Sequence, residues 1–168
     1  MLDLKSQISK TYVFLKTYYK LRKLFKKTVD FPTPASYVKN VLIFLPQQDH
    51  LVDAAMTFVR HLRQYFKRWH FMILNVDKIT TDKLNKFDLP NQSFINELEL
   101  NDFQLVLNLN FEPDLRMDFL AAMLKIPYRL HVQSSKRDIY NILIQISRDD
   151  FKSYHQVFEY LKSSFPLK

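Results

Sequence analysis

The sequence predicts an α/β fold, a single Rossmann-like three-layer α/β/α domain built around a mostly parallel sheet. Three observations carry that reading. Short unbroken apolar runs, each about one strand long, recur through the second part of the chain. Segments with helical periodicity separate them. Prolines and polar clusters stop nearly every run.

Val41-Leu42-Ile43-Phe44-Leu45, stopped by Pro46, has the pattern of a strand buried on both faces. Helical periodicity follows from Leu51 to Trp69, with Leu51, Ala55, Phe58, Leu62, Tyr65 and Phe66 on the inner stripe. Arg60, Arg63, Lys67 and Arg68 gather toward the end, where cations suit a helix C-terminus. Phe71–Val76 is the next strand, so this stretch has the form of a βαβ unit. Asp77–Asn101 is polar and weakly patterned, and is expected to be irregular with short helical turns. Phe103–Leu109 is a third strand, Asp114–Leu124 a helix ahead of Pro127, and Tyr128–Val132 a fourth strand. Ile139–Ile146 is apolar and expected to be extended. Phe151–Phe165 closes the chain as a helix through Tyr154, Val157, Phe158 and Leu161, with Asp149 and Asp150 as its expected caps.

Composition narrows the chemistry. The 168 residues include no Gly and no Cys, where average usage would give roughly 12 glycines. A Walker A loop and a G-x-G-x-x-G turn both need glycine for positive φ and for close approach of backbone to phosphate. Cysteine-based zinc sites, disulfides and thiol nucleophiles are excluded in the same way. The five His residues lack the H-x-x-x-H spacing of a metal pair. His61 and His155 are expected on helix surfaces, and His131 on a strand. No metal and no cofactor is expected.

The net charge of +8 is concentrated. Lys5, Lys10, Lys16, Lys20, Arg22, Lys23, Lys26 and Lys27 form a stretch of eight cations with no acid. Setting them aside leaves 17 basic residues against 17 acidic ones, so the rest of the chain is formally neutral. The spacing predicts a long basic amphipathic helix over residues 1–30, with Lys16, Lys20, Lys23 and Lys27 on one face and Phe14, Tyr18, Leu21 and Phe25 on another. Tyr12, Leu15, Tyr19 and Leu24 widen the apolar sector. A linker over residues 31–39 and the α/β domain over residues 40–168 follow.

Three uses compete for that helix: packing of its apolar side on the chain's own body, lying on anionic lipid, or docking onto a protein partner with an acidic surface. Nucleic acid is disfavoured, because the aromatics sit at core-like helical spacing; it would predict binding that falls steeply with salt. Charges interrupt every stretch long enough to span a bilayer, and no apolar region of a secretory signal follows the basic part.

In a parallel sheet, ligands sit beyond the carboxyl ends of the strands, here Pro46–Asp53, Asp77–Thr81, Asn108–Asp114 and Gln133–Asp138. Asp49, His50 and Asp53 could act as acid–base groups at a helix N-terminus. The alternative makes Asp49 an N-cap and Asp53 a first-turn acid favoured by the helix dipole. Ser134 and Ser135 fit a turn. Tyr128-Arg129 with Ser134–Arg137 could form a small anion site or a solvated loop.

The order of elements resembles the N-terminal, acceptor half of glycosyltransferase family nine, the heptosyltransferases of lipopolysaccharide core synthesis. Lys39–Leu45 resembles the family's first strand and Phe58–Phe66 its following helix. Asp102–Leu109 is similar to its third strand. Phe119–Arg129 is similar to the next helix and turn, with Lys125 where glycine usually stands. Tyr140–Leu161 is similar to the segment leading toward the interdomain linker. The similarity runs from about Lys39 to Leu161.

The resemblance implies a glycosyl-acceptor domain whose catalytic base is an Asp after the first strand. Registering the helix on Val59-Arg60 puts His50-Leu51 in place of the family's Gly-Asp, so Asp49 or Asp53 would serve only in a shifted register. It also implies a second domain for the nucleotide-sugar donor, to which nothing in these residues corresponds.

Two functional expectations follow. The first is a non-catalytic accessory or adaptor subunit. It would be cytoplasmic and peripheral at the inner face of the membrane, or docked on a membrane-bound protein complex through its basic aromatic helix. The second is a half-glycosyltransferase completed by a partner chain.

Overall fold

A computed structural model describes residues 3–25, 29–132, 139–147, 150–152 and 154–167. Among them run five strands, β1 (Asn40–Phe44), β2 (His70–Leu74), β3 (Leu105–Asn108), β4 (Tyr128–His131) and β5 (Ile142–Leu143). Five α-helices accompany them: α1 (Asp3–Phe25), α2 (Asp49–Tyr65), α3 (Gln92–Glu99), α4 (Leu115–Met123) and α5 (His155–Ser164). The sheet order is β2-β1-β3-β4-β5 and every pairing is parallel. Asn40 lies beside His70, Val41 beside Leu105, Leu105 beside Tyr128, and Leu130 beside Ile142. The chain is thus an α/β domain of the Rossmann-like type.

The apolar runs are continuous because both faces of the sheet are covered. Successive side chains of a strand point to opposite faces. Val41, Ile43, Leu105, Leu107 and Leu130 therefore meet Ala55, Phe58 and Leu62 of α2 and Val157 and Leu161 of α5. Leu42, Phe44 and Val106 meet Phe94, Ile95 and Leu98 of α3 and Met117 and Leu120 of α4. Phe14 of α1 belongs to this second layer, where α1 packs against α4.

Several local expectations change. Asp49 is not the cap of α2; it is the first helical residue, and Gln48 holds the cap position without a side-chain bond to the helix. Helix α2 stops at Tyr65 rather than Trp69. Phe66 and Trp69 turn inward and stack, with ring centroids 3.8 Å apart, and the indole N–H donates to Ala35 O at 2.9 Å. The stretch 77–101, expected to be irregular, contains α3, capped by Asn91 Oδ1 accepting from Phe94 N at 2.9 Å.

At the C-terminal side, only Ile142–Leu143 of the expected extended segment pairs in the sheet. Helix α5 begins at His155, after a 3-10 turn over Asp150–Lys152. Asp150 does not cap α5. Its carboxylate accepts from Ser147 Oγ and Gln156 Nε2. Asp149 lies outside the described residues. Ahead of β1, Thr33 N and Ala35 N donate to Ser164 O and Pro166 O, which ties this connection to the end of α5.

A chain without glycine must place other residues where φ is positive. Asp88, Asp102, Lys125 and Tyr154 have φ of 59°, 46°, 52° and 50°. Lys125 is two residues beyond the end of α4, the position at which helices commonly take a left-handed glycine. Its Cβ meets the steric penalty that glycine avoids. Lys125→Gly is therefore expected to raise stability by about 1 kcal/mol, read as a higher urea midpoint at unchanged slope; an unchanged or lower midpoint would contradict this.

Candidate functional site

The strand order reverses between β1 and β3, and the crevice beyond their carboxyl ends is where an open parallel sheet binds ligands. Residues from four segments meet there. Gln47, just after β1, and Asn110, just after β3, bond reciprocally. Gln47 N donates to Asn110 Oδ1 at 3.4 Å, and Asn110 Nδ2 to Gln47 Oε1 at 3.1 Å. Gln47 Nε2 donates to Asp77 Oδ1 at 3.1 Å. Arg116 Nη2 donates to the same Asp77 oxygen and to Asp114 Oδ2, both at 3.1 Å. Asp114 also caps α4, accepting from Arg116 N at 2.7 Å and Met117 N at 3.1 Å. Burial alone would lower the Arg116 guanidinium, but the hydrogen bonds and charges of Asp114 and then Asp77 raise it above its ordinary value.

Beneath this layer lies a buried network. Asn108 Nδ2 donates to Tyr140 Oη at 2.7 Å, and Tyr140 Oη donates to Asp118 Oδ1 at 3.1 Å. His131 stacks on Tyr140 at 4.7 Å, and its Nε2 lies 3.0 Å from Asn110 O. A carbonyl only accepts, so Nε2 carries the proton. Asn108, Asp118, His131 and Tyr140 are all buried.

Burial first, and the charge of Asp118 next, push the Tyr140 phenol well above its ordinary pKa. Burial also pushes up Tyr154, whose hydroxyl donates to Leu109 O at 3.3 Å. An unfolded tyrosine ionises near pH 10, whereas these two stay protonated in the fold. Above about pH 10 the unfolded chain releases protons that the folded chain keeps, so stability falls as pH rises. Each tyrosine contributes up to ~1.4 kcal/mol per pH unit, and neither contributes below its unfolded pKa. Urea midpoints are expected to drop between about pH 9.5 and 11, and less steeply in Tyr140→Phe and in Tyr154→Phe. Equal slopes in all three proteins would refute the assignment.

Side chains at this crevice bond to one another. The turns after β1 and β3 carry Gln47, Gln48, Asn110 and Phe111, whose Cβ atoms occupy space that a glycine turn leaves to a phosphate. Asp49 and His50 are exposed on the first turn of α2 and Asp53 is exposed just beyond it, so Asp53 is not the first-turn acid the sequence suggests, and the structure does not bring the three into the cluster. The sequence places the segments after β1, β2, β3 and β4 at this end of the sheet, the last of which, Gln133–Asp138, lies outside the described residues. It gives no sign that Arg116, Asp118 and Tyr140 join them.

Arg129 is buried, and its Nε and Nη1 donate to Ile139 O and Ile126 O. Burial pulls its guanidinium down to about 10, against the opposing effect of Tyr140. Ser134, Ser135, Lys136 and Arg137 lie outside the described residues. Among the described residues, no three His, Cys, Asp or Glu are grouped to hold a metal.

The second candidate surface is α1. Phe14 is 1% exposed, and Tyr18 stacks on it at 6.2 Å, packed on the same core. Lys10 Nζ pairs with Asp88 Oδ2 at 2.8 Å. The outward face carries a different apolar row, Ile8, Tyr12, Leu15 and Tyr19, exposed by 61%, 66%, 37% and 63%. These residues have the i, i+4, i+7, i+11 spacing of one helix face. Lys16 is exposed beside them. Only the backbone is described for Lys20, Leu21, Lys23 and Phe25, and Lys27 lies outside the described residues. No described helix is long and apolar enough to cross a membrane.

Compared with known proteins, the chain matches no family model, no curated protein and no solved structure.

Proposed function

We propose that the chain is a non-catalytic accessory or adaptor subunit that docks through α1, at the cytoplasmic membrane surface or on a larger membrane-bound protein complex. One observation carries this: a helix already packed on the body by Phe14 presents a second apolar row, Ile8, Tyr12, Leu15 and Tyr19, to solvent. Isolated exposed apolar residues are ordinary, but a contiguous row along one helix is the mark of an interaction surface.

Deleting residues 1–30 is a poor test, because it would strip Phe14 from the core. Surface substitutions avoid that. Tagged full chain and its Tyr12→Ser/Tyr19→Ser variant would be recovered from source-cell membranes in mild detergent. The expected outcome is membrane recovery of the full chain and loss of that recovery in the variant, with both unfolding at the same urea concentration. Recovery of the unaltered chain in the soluble fraction alone would refute docking.

The polar cluster at the switch point favours a second reading, a half-glycosyltransferase that binds a sugar acceptor and awaits a partner chain. It predicts saturable binding of a sugar phosphate, weakened by Asn110→Ala. Titration calorimetry showing none would remove it.

A further inference from the structure

We infer that the surface engaged by α1 is an anionic lipid bilayer, with the helix lying in the headgroup plane. This rests on α1 being the docking element. Three features of the outward face favour lipid over a protein groove.

The first is shape. The row from Ile8 to Tyr19 is about 16 Å long and one side chain wide. Four side chains of at most ~200 Å² each, exposed by 37–66%, fall well short of the ~800 Å² that each partner of a standard protein interface contributes. A bilayer needs no matching groove and conforms to a narrow ridge.

The second is residue type. Ile8 and Leu15 are purely apolar, whereas Tyr12 and Tyr19 combine an apolar ring with a hydroxyl. That pair of properties suits the boundary between acyl chains and headgroups.

The third is charge. At about 100° per residue, the apolar row covers roughly 60° of the helix circumference. By register, positions 5, 16, 20 and 23 occupy roughly the next 80° on one side, and all four are Lys. No acid occurs from Leu4 to Lys27. Phosphate headgroups would meet a helix that carries no acid after Asp3, and cations near an anionic surface add to binding. Lys10, turned to Asp88, is not among them. The helix is too polar to cross a bilayer, so it lies on the surface rather than spanning it.

The test is flotation of purified full chain with protein-free vesicles, one set of phosphatidylcholine alone and one of equimolar phosphatidylcholine and phosphatidylserine. Binding to the anionic set is expected to be at least about tenfold tighter. It should weaken as salt rises from about 0.1 to 0.5 M. Tyr12→Ser/Tyr19→Ser should reduce it about tenfold, and Lys16→Glu should reduce it while leaving the urea midpoint unchanged. Equal binding to both vesicle types, or full binding by the tyrosine variant, would overturn the inference. If no vesicle binding occurs yet native membranes still retain the unaltered chain and release the variant, the occupant is a protein. That result overturns the lipid assignment and leaves docking by α1 standing. Loss of retention on native membranes as well would overturn both.

Discussion

Phe14→Ala is expected to destabilise the whole fold by about 3–5 kcal/mol, the usual cost of truncating a buried phenylalanine. Phe14 is 1% exposed and packs in the layer that contains Leu42, Phe44, Val106 and Leu120. Its loss would leave a cavity under α1 and weaken the hold of that helix on α4. Tyr12→Ala, two positions away on the outward face, should change stability by no more than about 0.5 kcal/mol. Urea unfolding followed by circular dichroism measures both. A Phe14→Ala loss below about 1 kcal/mol would show that α1 is not part of the cooperative unit, and the body would then be stable without it. The contrast between the two positions separates the structural face of α1 from its outward face.

Arg129→Lys is expected to cost about 3 kcal/mol although it conserves charge. The guanidinium of Arg129 serves two carbonyls from two different segments, Ile126 O ahead of β4 and Ile139 O ahead of β5. A planar fork can reach both at once, whereas an ammonium on a flexible stem cannot hold the same two directions. The substitution would leave a buried carbonyl without its donor, and a compact buried charge is harder to desolvate than a delocalised one. The urea midpoint of Arg129→Lys should lie well below that of the unaltered protein, while Arg68→Lys, at an exposed position, should match it. A midpoint for Arg129→Lys within error of the unaltered protein would show that the fork has no structural role.

What the sequence discloses depends on how locally each feature is encoded. Strands β1 and β3 are legible because burial on both faces leaves an unbroken apolar run, as in Val41–Leu45 and Leu105–Leu107. Helix α2 is legible because four turns give room for a period to show. Helix α3 is hidden. Eight residues hold only Phe94, Ile95 and Leu98 as buried anchors, and Pro90 just ahead suggests a loop. Its one local signal is Asn91 at the cap.

The crevice is legible as a place but not as a membership. The carboxyl-end rule marks Gln47, Asp77, Asn108, Asn110 and Asp114, while Arg116, Asp118 and Tyr140 reach the crevice only through tertiary packing. In α1 the sequence shows one broad apolar sector, Phe14 and Tyr18 widened by Tyr12, Leu15 and Tyr19, but nothing local tells which part of it turns inward. That choice depends on the complementary surface offered by α4 and its neighbours.

Asp88, Asp102, Lys125 and Tyr154 also set how much evolutionary change the chain can absorb. Each holds a left-handed backbone with a side chain that disfavours it, and glycine would relieve the strain at any of them. Two of the four have a tertiary partner. Tyr154 fills the core with its ring, and Asp88 holds Lys10 of α1. Asp102 and Lys125 are exposed and open to replacement. Natural sequences hover just above the stability they need, so a relieved turn widens the range of other substitutions that can persist. In this lineage that added latitude lies in the turn after α3 and the turn after α4, and a sequence that acquired glycine at both would tolerate more drift in its core.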